Sequence, residues 1–134
     1  MTIQEQIAQF LASPAFGVIG ASTNRDKYGN KVLRCYLQHG KTVIPVNLHE
    51  TEIEGVPCAA TVKDLPAEVA SISMITPPDV TARLVPLAIE KGIRNIWMQP
   101  GAEHPVAVAL CIEKSVNIIA DGSCVLVVMG YHEH

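Results

Sequence analysis

Aromatic side chains are scarce in this chain of 134 residues, since only 4% are Phe, Trp or Tyr. The four cysteines form neither a Cys-x-x-Cys pair nor a zinc-like spacing, which favours small buried thiols in a reducing cytosol over a disulfide framework. No apolar run approaches the ~20 residues of a membrane-spanning helix, and the Gln-rich start does not resemble a signal peptide. These absences predict a cytoplasmic protein without a membrane partner.

Positive charge is also limited, because 10 Lys and Arg residues stand against 13 Asp and Glu residues and give a net charge of −3. A broadly basic face is therefore excluded, and nucleic acid is not an expected partner. Within this acidic chain, however, Arg25, Lys27 and Lys31 fall within seven residues. This local excess predicts a polyanionic ligand, and the alternative is a solvated charged loop.

Apolar residues make up 49% of the chain and are mostly aliphatic, which is typical of a buried parallel sheet covered by helices. The pattern predicts strands at 16–20, 42–46, 69–75, 94–98 and 116–120, and helices at 2–11, 31–39, 76–92 and 103–115. Segment 48–65 is predicted as a polar, turn-rich connection, and segment 121–134 is left unassigned. The fold expected is α/β: a Rossmann-like, three-layer, doubly wound parallel sheet of about five strands with helices on both faces. It is expected to form one domain over residues 1–134.

Small, polar or turn-forming residues follow all five predicted strands, at the edge where open α/β sheets bind ligands. The first of these loops begins Gly20-Ala21-Ser22, and backbone N–H groups in such a turn can hold phosphate oxygens. The dinucleotide fingerprint Gly-x-Gly-x-x-Gly is absent. Strand two ends in Asn47 rather than in the acidic residue that holds the ribose of NAD, so nicotinamide dinucleotides are disfavoured.

The motifs FGVIGAST, KYGNKV, TVIPVN, EIEGVPCAATVKDLP, MITPP, IWMQPGA and IIADGSC occur in this order over residues 16–124. Together they resemble the CoA-binding domain family, whose small members are similar to the CoA-binding domain of succinyl-CoA synthetase alpha chains. The resemblance implies a Rossmann-like fold that binds coenzyme A as its cofactor. It implies no established reaction for the small stand-alone members.

The resemblance also implies a set of cofactor-binding residues. These are Gly20, Ala21, Ser22, Arg25, Lys27, Tyr28 and Gly29 at the phosphates, Pro45, Val46 and Asn47 at the adenosine half, Thr76, Pro77 and Pro78 at the diphosphate or pantetheine arm, and Gln99, Pro100 and Gly101 at the mouth. Many relatives end strand five with Asp-Arg-Cys, whereas this chain has Asp121-Gly122-Ser123-Cys124. No role is therefore carried over to Asp121 or Cys124.

The function expected is binding of coenzyme A or acyl-CoA, with no catalytic residue and no metal site assigned, so that an enzyme is the less favoured interpretation. One alternative is a small nucleotide-cofactor-dependent enzyme, either an NAD(P) oxidoreductase or a CoA-using transferase. Another is an interaction module without a ligand. The terminal His132-Glu133-His134 is attributed to a frayed end rather than to a chelate. A homodimer is left open.

Overall fold

Five parallel strands form the centre of the protein, in a computed structural model that describes residues 1–133. The elements in chain order are α1 (Ile3–Leu11), β1 (Ala15–Ile19), α2 (Tyr28–Gln38), β2 (Val43–Val46), β3 (Glu52–Ile53), β4 (Val56–Pro57), a 3₁₀ helix (Val62–Asp64), β5 (Val69–Met74), α3 (Pro78–Lys91), β6 (Asn95–Met98), α4 (Pro105–Glu113), β7 (Asn117–Ile119) and α5 (Val125–Met129). No helix in this part of the chain is long and apolar enough to cross a membrane.

The strand order β2-β1-β5-β6-β7 confirms the predicted doubly wound sheet. From β1 the chain moves outward to β2 and then returns to the other side of β1 to enter β5. The carboxyl ends of β1 and β5 therefore form the switch point at which such sheets bind ligands. Pro45 lies in the edge strand β2, where its missing N–H costs little, and its carbonyl accepts a hydrogen bond from Ala59 at 2.9 Å.

Two hydrophobic clusters cover the two faces of the sheet, which explains why β1 is buried along its whole length. Phe16 and Val18 belong to the cluster that contains residues of α1, α2 and α5. Ala15 and Ile19 belong to the cluster that contains residues of α3 and α4. Because α2 and α3 follow β1 and β5 onto opposite faces, a crevice is left between their starting points.

Three predictions of local structure were wrong or incomplete. Helix α2 begins at Tyr28, three residues before the predicted start at residue 31. Segment 48–65 is not merely a connection, since it contains the β3–β4 hairpin and a 3₁₀ helix capped by Thr61 and Asp64. Segment 121–134, for which the sequence predicts no element, contains the short helix α5.

Candidate functional site

The β1–α2 loop, residues 20–27, lies against its neighbours so closely that two glycines are required. Gly20 has a φ of +94°, and a β-carbon there would lie 2.0 Å from the carbonyl oxygen of Ile75. A β-carbon on Gly29, in the first turn of α2, would lie 2.1 Å from the carbonyl oxygen of Gly20. The start of α2 therefore packs directly on the turn after β1.

Buried polar side chains of α2 hold this loop in place. The Asn30 side chain donates a hydrogen bond to the Ser22 carbonyl at 2.8 Å. Arg34 donates to the Arg25 carbonyl at 2.7 Å and to the Asn30 side-chain oxygen, also at 2.7 Å. Lys27, the N-cap residue, provides no side-chain cap, and the first N–H groups of any helix lack partners within the helix. The start of α2 can thus accept an anion.

Asn47 fastens the end of β2 to the same loop. Its amide nitrogen donates to the Ala21 carbonyl at 3.0 Å. Its side-chain oxygen accepts from the backbone N–H groups of His49 at 2.8 Å and Glu50 at 3.0 Å. Both ends of the amide are therefore engaged in positioning backbone, which explains why an amide rather than a carboxylate suits this position.

An apolar groove of about 630 Å³ lies at the carboxyl ends of β1 and β2, between α3 and the segment around the 3₁₀ helix. Apolar side chains form most of its wall, and Lys63 and His49 are its ionisable side chains. The lining residues are Ile19, Gly20, Ala21, Val46, Asn47, Leu48, His49, Ala60, Thr61, Val62, Lys63, Thr76, Val80, Leu84 and Leu87. The groove has the chemistry of a site for an extended, weakly polar group.

A second depression of about 480 Å³, the loop pocket, adjoins this groove. It is lined by Gly20, Ala21, Ser22, Lys27, Tyr28, Gly29, Asn47 and Ile75. Three of these residues also line the apolar groove, so the two cavities are neighbours along one edge of the sheet. The loop pocket combines the Lys27 cation with the start of α2, which makes it the more polar and anion-compatible part.

A third depression of about 240 Å³ lies at the ends of β5 and β6. Its lining residues are Ile75, Thr76, Pro77, Pro100, Gly101 and Ala102. It shares Ile75 with the loop pocket and Thr76 with the apolar groove. The carboxyl edge of the sheet thus presents three adjacent recesses from β2 to β6.

The side chain of Tyr28 lines the loop pocket and extends to residues that follow β6 and precede α5. Its hydroxyl donates to the side-chain oxygen of Gln99 at 3.1 Å and contacts the Cys124 thiol. Burial, followed by the contact with Cys124, raises the pKa of Tyr28 well above its ordinary value, so the phenol stays protonated. Gln99 is 1% exposed, and its side-chain oxygen also accepts a hydrogen bond from the Val125 N–H at 2.9 Å. This oxygen therefore fixes the Tyr28 hydroxyl relative to the start of α5.

Twelve of the sixteen residues assigned from the resemblance line the three recesses: Gly20, Ala21, Ser22, Lys27, Tyr28, Gly29, Val46, Asn47, Thr76, Pro77, Pro100 and Gly101. The other four, Arg25, Pro45, Pro78 and Gln99, lie outside these linings. The cationic cluster is divided, because Arg25 faces Glu54 at 3.9 Å and Lys31 faces Glu133 at 3.9 Å.

The sequence interpretation missed one wall of the apolar groove. Thr61 and Lys63 come from the segment predicted as a simple connection, and only the fold brings them beside Val46. Val80 and Leu84 belong to the apolar stripe of α3, for which the spacing predicts core packing. They are half-buried and line the groove as well, a double role that periodicity does not distinguish.

The C-terminal end differs from the expected frayed terminus. The backbone of His132 accepts a hydrogen bond from the Gln38 side chain at 2.6 Å and donates one back at 3.0 Å. His134, the third member of the terminal motif, lies outside the described residues. Among residues 1–133, no group of three His, Cys, Asp or Glu side chains could hold a metal ion.

Comparison with known proteins gives a consistent family relationship. The family model for the CoA binding domain matches residues 15–129. The alpha subunit of the ADP-forming acetate–CoA ligase II of Pyrococcus furiosus is 31% identical over 88 residues, which are 65% of this chain and 19% of that subunit. The chain thus spans about a fifth of the length of this curated relative.

Two solved structures share the fold over most of both chains. A conserved hypothetical protein of Pyrococcus furiosus is 36% identical, with a TM-score of 0.81 over 85% of this chain and 97% of that one. A hypothetical protein of Pyrococcus horikoshii is 26% identical, with a TM-score of 0.87 over 95% and 89% of the two chains. These similarities confirm the α/β architecture.

Proposed function

Because this chain belongs to the CoA-binding domain family, we propose that it binds coenzyme A or an acyl-CoA along the carboxyl edge of its sheet. The observation that carries the proposal is the junction of the apolar groove with the loop pocket, which share Gly20, Ala21 and Asn47. Coenzyme A has an anionic diphosphate between a long, weakly polar pantetheine arm and an adenosine that bears a 3′-phosphate. A polar, anion-compatible pocket that adjoins an apolar groove therefore suits the diphosphate and the weakly polar groups next to it.

In this proposal the phosphates lie in the loop pocket. Backbone N–H groups at Gly20, Ala21 and Ser22 and at the start of α2 face the phosphate oxygens, and Lys27 contributes a positive charge. Tyr28 and Gly29 shape the same pocket. Arg25, which is paired with Glu54 at 3.9 Å, acts only through its longer-range charge.

The remaining assigned residues hold the adenosine half and the pantetheine arm of the ligand. Val46 and Asn47 border the adenosine half, with Pro45 shaping the backbone of the edge strand that carries them. Thr76 and Pro77 flank the pantetheine arm, and Pro78 fixes the start of α3 behind them. Pro100 and Gly101 form the mouth, beside the Gln99 side chain that holds Tyr28.

We further propose that the chain binds this ligand without transforming it. The Cys124 thiol, a nucleophile near the edge of the sheet, contacts the Tyr28 hydroxyl rather than a histidine base among the described residues. Burial, the largest cause, raises the pKa of this phenol above its ordinary value, so the hydroxyl keeps its proton. The sequence leaves a homodimer open, and light scattering of the full chain measures its oligomeric state.

Calorimetric titration of the full chain with CoA, acetyl-CoA, NAD, NADP and ATP tests the proposal. We expect saturable binding of CoA and acetyl-CoA and little heat from NAD or NADP. Tight NAD binding without a response to CoA would favour the nucleotide-cofactor enzyme. The absence of any response would favour the interaction module. Incubation with acetyl-CoA, followed by mass spectrometry, separates binding from hydrolysis or acyl transfer, neither of which is expected.

A further inference from the structure

The C-terminal tail, residues 130–133, is docked on the last turn of α2. The Gln38 side chain forms two hydrogen bonds with the backbone of His132, at 2.6 and 3.0 Å. The ring nitrogen Nε2 of His39 lies 2.7 Å from the carbonyl oxygen of Gly130. These contacts fix the backbone of the tail, so that its side chains are presented to α2 in one arrangement.

Arg34 lies between this tail and the β1–α2 loop. Its Nε donates to Asn30 and its Nη2 to the Arg25 carbonyl, both at 2.7 Å. On the opposite side, its Nη1 lies 3.5 Å from a Glu133 carboxylate oxygen, and its guanidinium lies 5.5 Å from the centre of the Tyr131 ring. One planar cation therefore contacts both segments at once.

The Arg34 guanidinium is buried, so its charge needs the carboxylate partner that the tail provides. Its side chain is 6% exposed, and Nη1 has no well-formed hydrogen bond to the described residues apart from the ion pair with Glu133. A buried cation whose partner is removed either moves toward water or admits water. Movement of Arg34 or entry of water weakens its hydrogen bonds to the Arg25 carbonyl and to Asn30. The Asn30 side chain in turn donates a hydrogen bond to the Ser22 carbonyl at 2.8 Å.

We propose that Arg34 is a positioning residue that couples docking of the C-terminal tail to the order of the β1–α2 loop. When the tail is docked, the loop is held in the conformation described above. When the tail is displaced, the loop loosens. By reciprocity, a ligand that orders the loop favours tail docking. The inference rests on the proposed function only in naming coenzyme A as that ligand.

Backbone order parameters measured by NMR on the full chain test this coupling without any ligand. The double variant Gln38→Ala/Glu133→Gln removes the hydrogen bonds to His132 and the ion pairs of Glu133 with Arg34 and Lys31. We expect the tail to become mobile and the order parameters of residues 21–27 to fall from about 0.85 toward 0.6, while those of β5 and β6 stay unchanged. The matched control Gln4→Ala/Glu113→Gln changes exposed residues of α1 and α4 and should affect neither segment.

The variant Arg34→Lys separates positioning from simple structural support. A lysine keeps the charge near Glu133, but its ammonium cannot hold Asn30 and the Arg25 carbonyl in the same planar arrangement. We expect CoA to slow amide hydrogen exchange in the tail of the wild type. We expect Arg34→Lys to lose this effect and to bind CoA at least about fivefold more weakly, the lower end of typical coupling.

The outcomes separate the two proposals. An ordered β1–α2 loop in the double variant, with its tail mobile, would overturn the coupling whatever CoA does. A loosened loop in a protein whose wild type does not bind CoA would support the coupling and contradict the proposed ligand. An unchanged tail response in Arg34→Lys would remove Arg34 from the coupling.

Discussion

A β-carbon on Gly29 would lie 2.1 Å from the carbonyl oxygen of Gly20, so the first turn of α2 rests on the turn that ends β1. This contact brings the N-terminal end of the helix to the switch point of the sheet, where the loop pocket forms. Glycine is thus required at position 29 by the carbonyl of Gly20 and not by a left-handed backbone conformation at Gly29 itself.

Replacing Gly29 with alanine should reverse the usual effect of this substitution in a helix. Alanine in a helix interior is normally favoured over glycine by about 1 kcal/mol. Here the new methyl group would meet the Gly20 carbonyl, so we expect Gly29→Ala to lower the free energy of unfolding and to weaken CoA binding. Urea unfolding and calorimetry measure both quantities.

Gly40→Ala serves as the comparison for this prediction. Gly40 has a φ of +69°, but no heavy atom lies within 4 Å of the position that its β-carbon would occupy. We expect it to cost stability through backbone strain and to leave CoA affinity unchanged. A stabilised Gly29→Ala protein would show that the helix start and the turn are not in contact.

Removing the Lys27 charge should weaken CoA binding by about 1–3 kcal/mol, the scale of a hydrogen bond to a charged group. Lys27 is exposed at the N-cap of α2, so folding should be little affected. Calorimetric titration of Lys27→Ala measures the loss, and Lys114→Ala, at the C-cap of α4, is the matched control. Equal affinities for the two variants would place Lys27 outside the site.

The variant Asn47→Asp tests whether the side-chain nitrogen of Asn47 is needed in addition to its side-chain oxygen. A carboxylate still accepts from the His49 and Glu50 N–H groups, but it places an oxygen against the Ala21 carbonyl, where the amide now donates at 3.0 Å. We expect a loss of about 1–3 kcal/mol in the free energy of unfolding, together with weaker CoA binding.

Asn24→Asp is the control for the added negative charge, since Asn24 lies in the β1–α2 loop that the Asn47 side chain contacts. Its side-chain oxygen accepts only from the Asp26 N–H among the contacts described, at 3.0 Å, which a carboxylate also allows. We expect its stability to be retained and its CoA affinity to fall less. If Asn47→Asp unfolds at the same urea concentration as wild type, Asn47 does not fasten β2 to the loop.

Stability should fall in alkaline solution. Burial raises the pKa of both Cys35 and Cys111 from 9.0 to about 11, and it also raises the pKa values of Tyr28 and Tyr36. Between about pH 9 and pH 11 the unfolded chain releases the thiol protons that the folded chain retains, so folding is favoured less as the pH rises. Each group contributes a slope of at most about 1.4 kcal/mol per pH unit.

Urea unfolding at pH 8, 9 and 10, in the presence of a reductant, measures this slope. Cys111→Ala should lower stability at pH 8, because it leaves a cavity, and should make the slope less steep. A free energy of unfolding that stays constant up to pH 10 would contradict the assignment of these thiols as buried and protonated.

The positions of the strands follow from the sequence because both faces of the sheet are covered. Apolar runs ending near Ile19, Met74 and Met98 place β1, β5 and β6 to within one or two residues of their predicted limits. The start of α2 was missed because glycine is a poor helix former. The contact between Gly29 and Gly20, which requires a glycine there, cannot be read from local sequence. Segment 48–65 was missed because its short strands depend on tertiary contacts such as the bridge between Val46 and Ala59.

The candidate site could be predicted in position but not in side-chain orientation. Parallel strands place all their carboxyl ends at one edge, so the loops after β1, β2, β5 and β6 had to meet. Local sequence does not reveal that Arg25 faces Glu54 or that Lys31 faces Glu133, since these partners are brought close only by the fold. The same reason explains why the contribution of Lys63 to the apolar groove was not foreseen.

A crystal structure of the full chain with coenzyme A would show where the ligand binds. We expect the diphosphate in the loop pocket, within hydrogen-bond distance of backbone N–H groups at residues 20–22 and at the start of α2, with Lys27 beside it. We expect the adenine ring and the pantetheine arm in the recesses that adjoin this pocket. A coenzyme bound at another surface, or the absence of density for the ligand at saturating concentration, would contradict the proposed site.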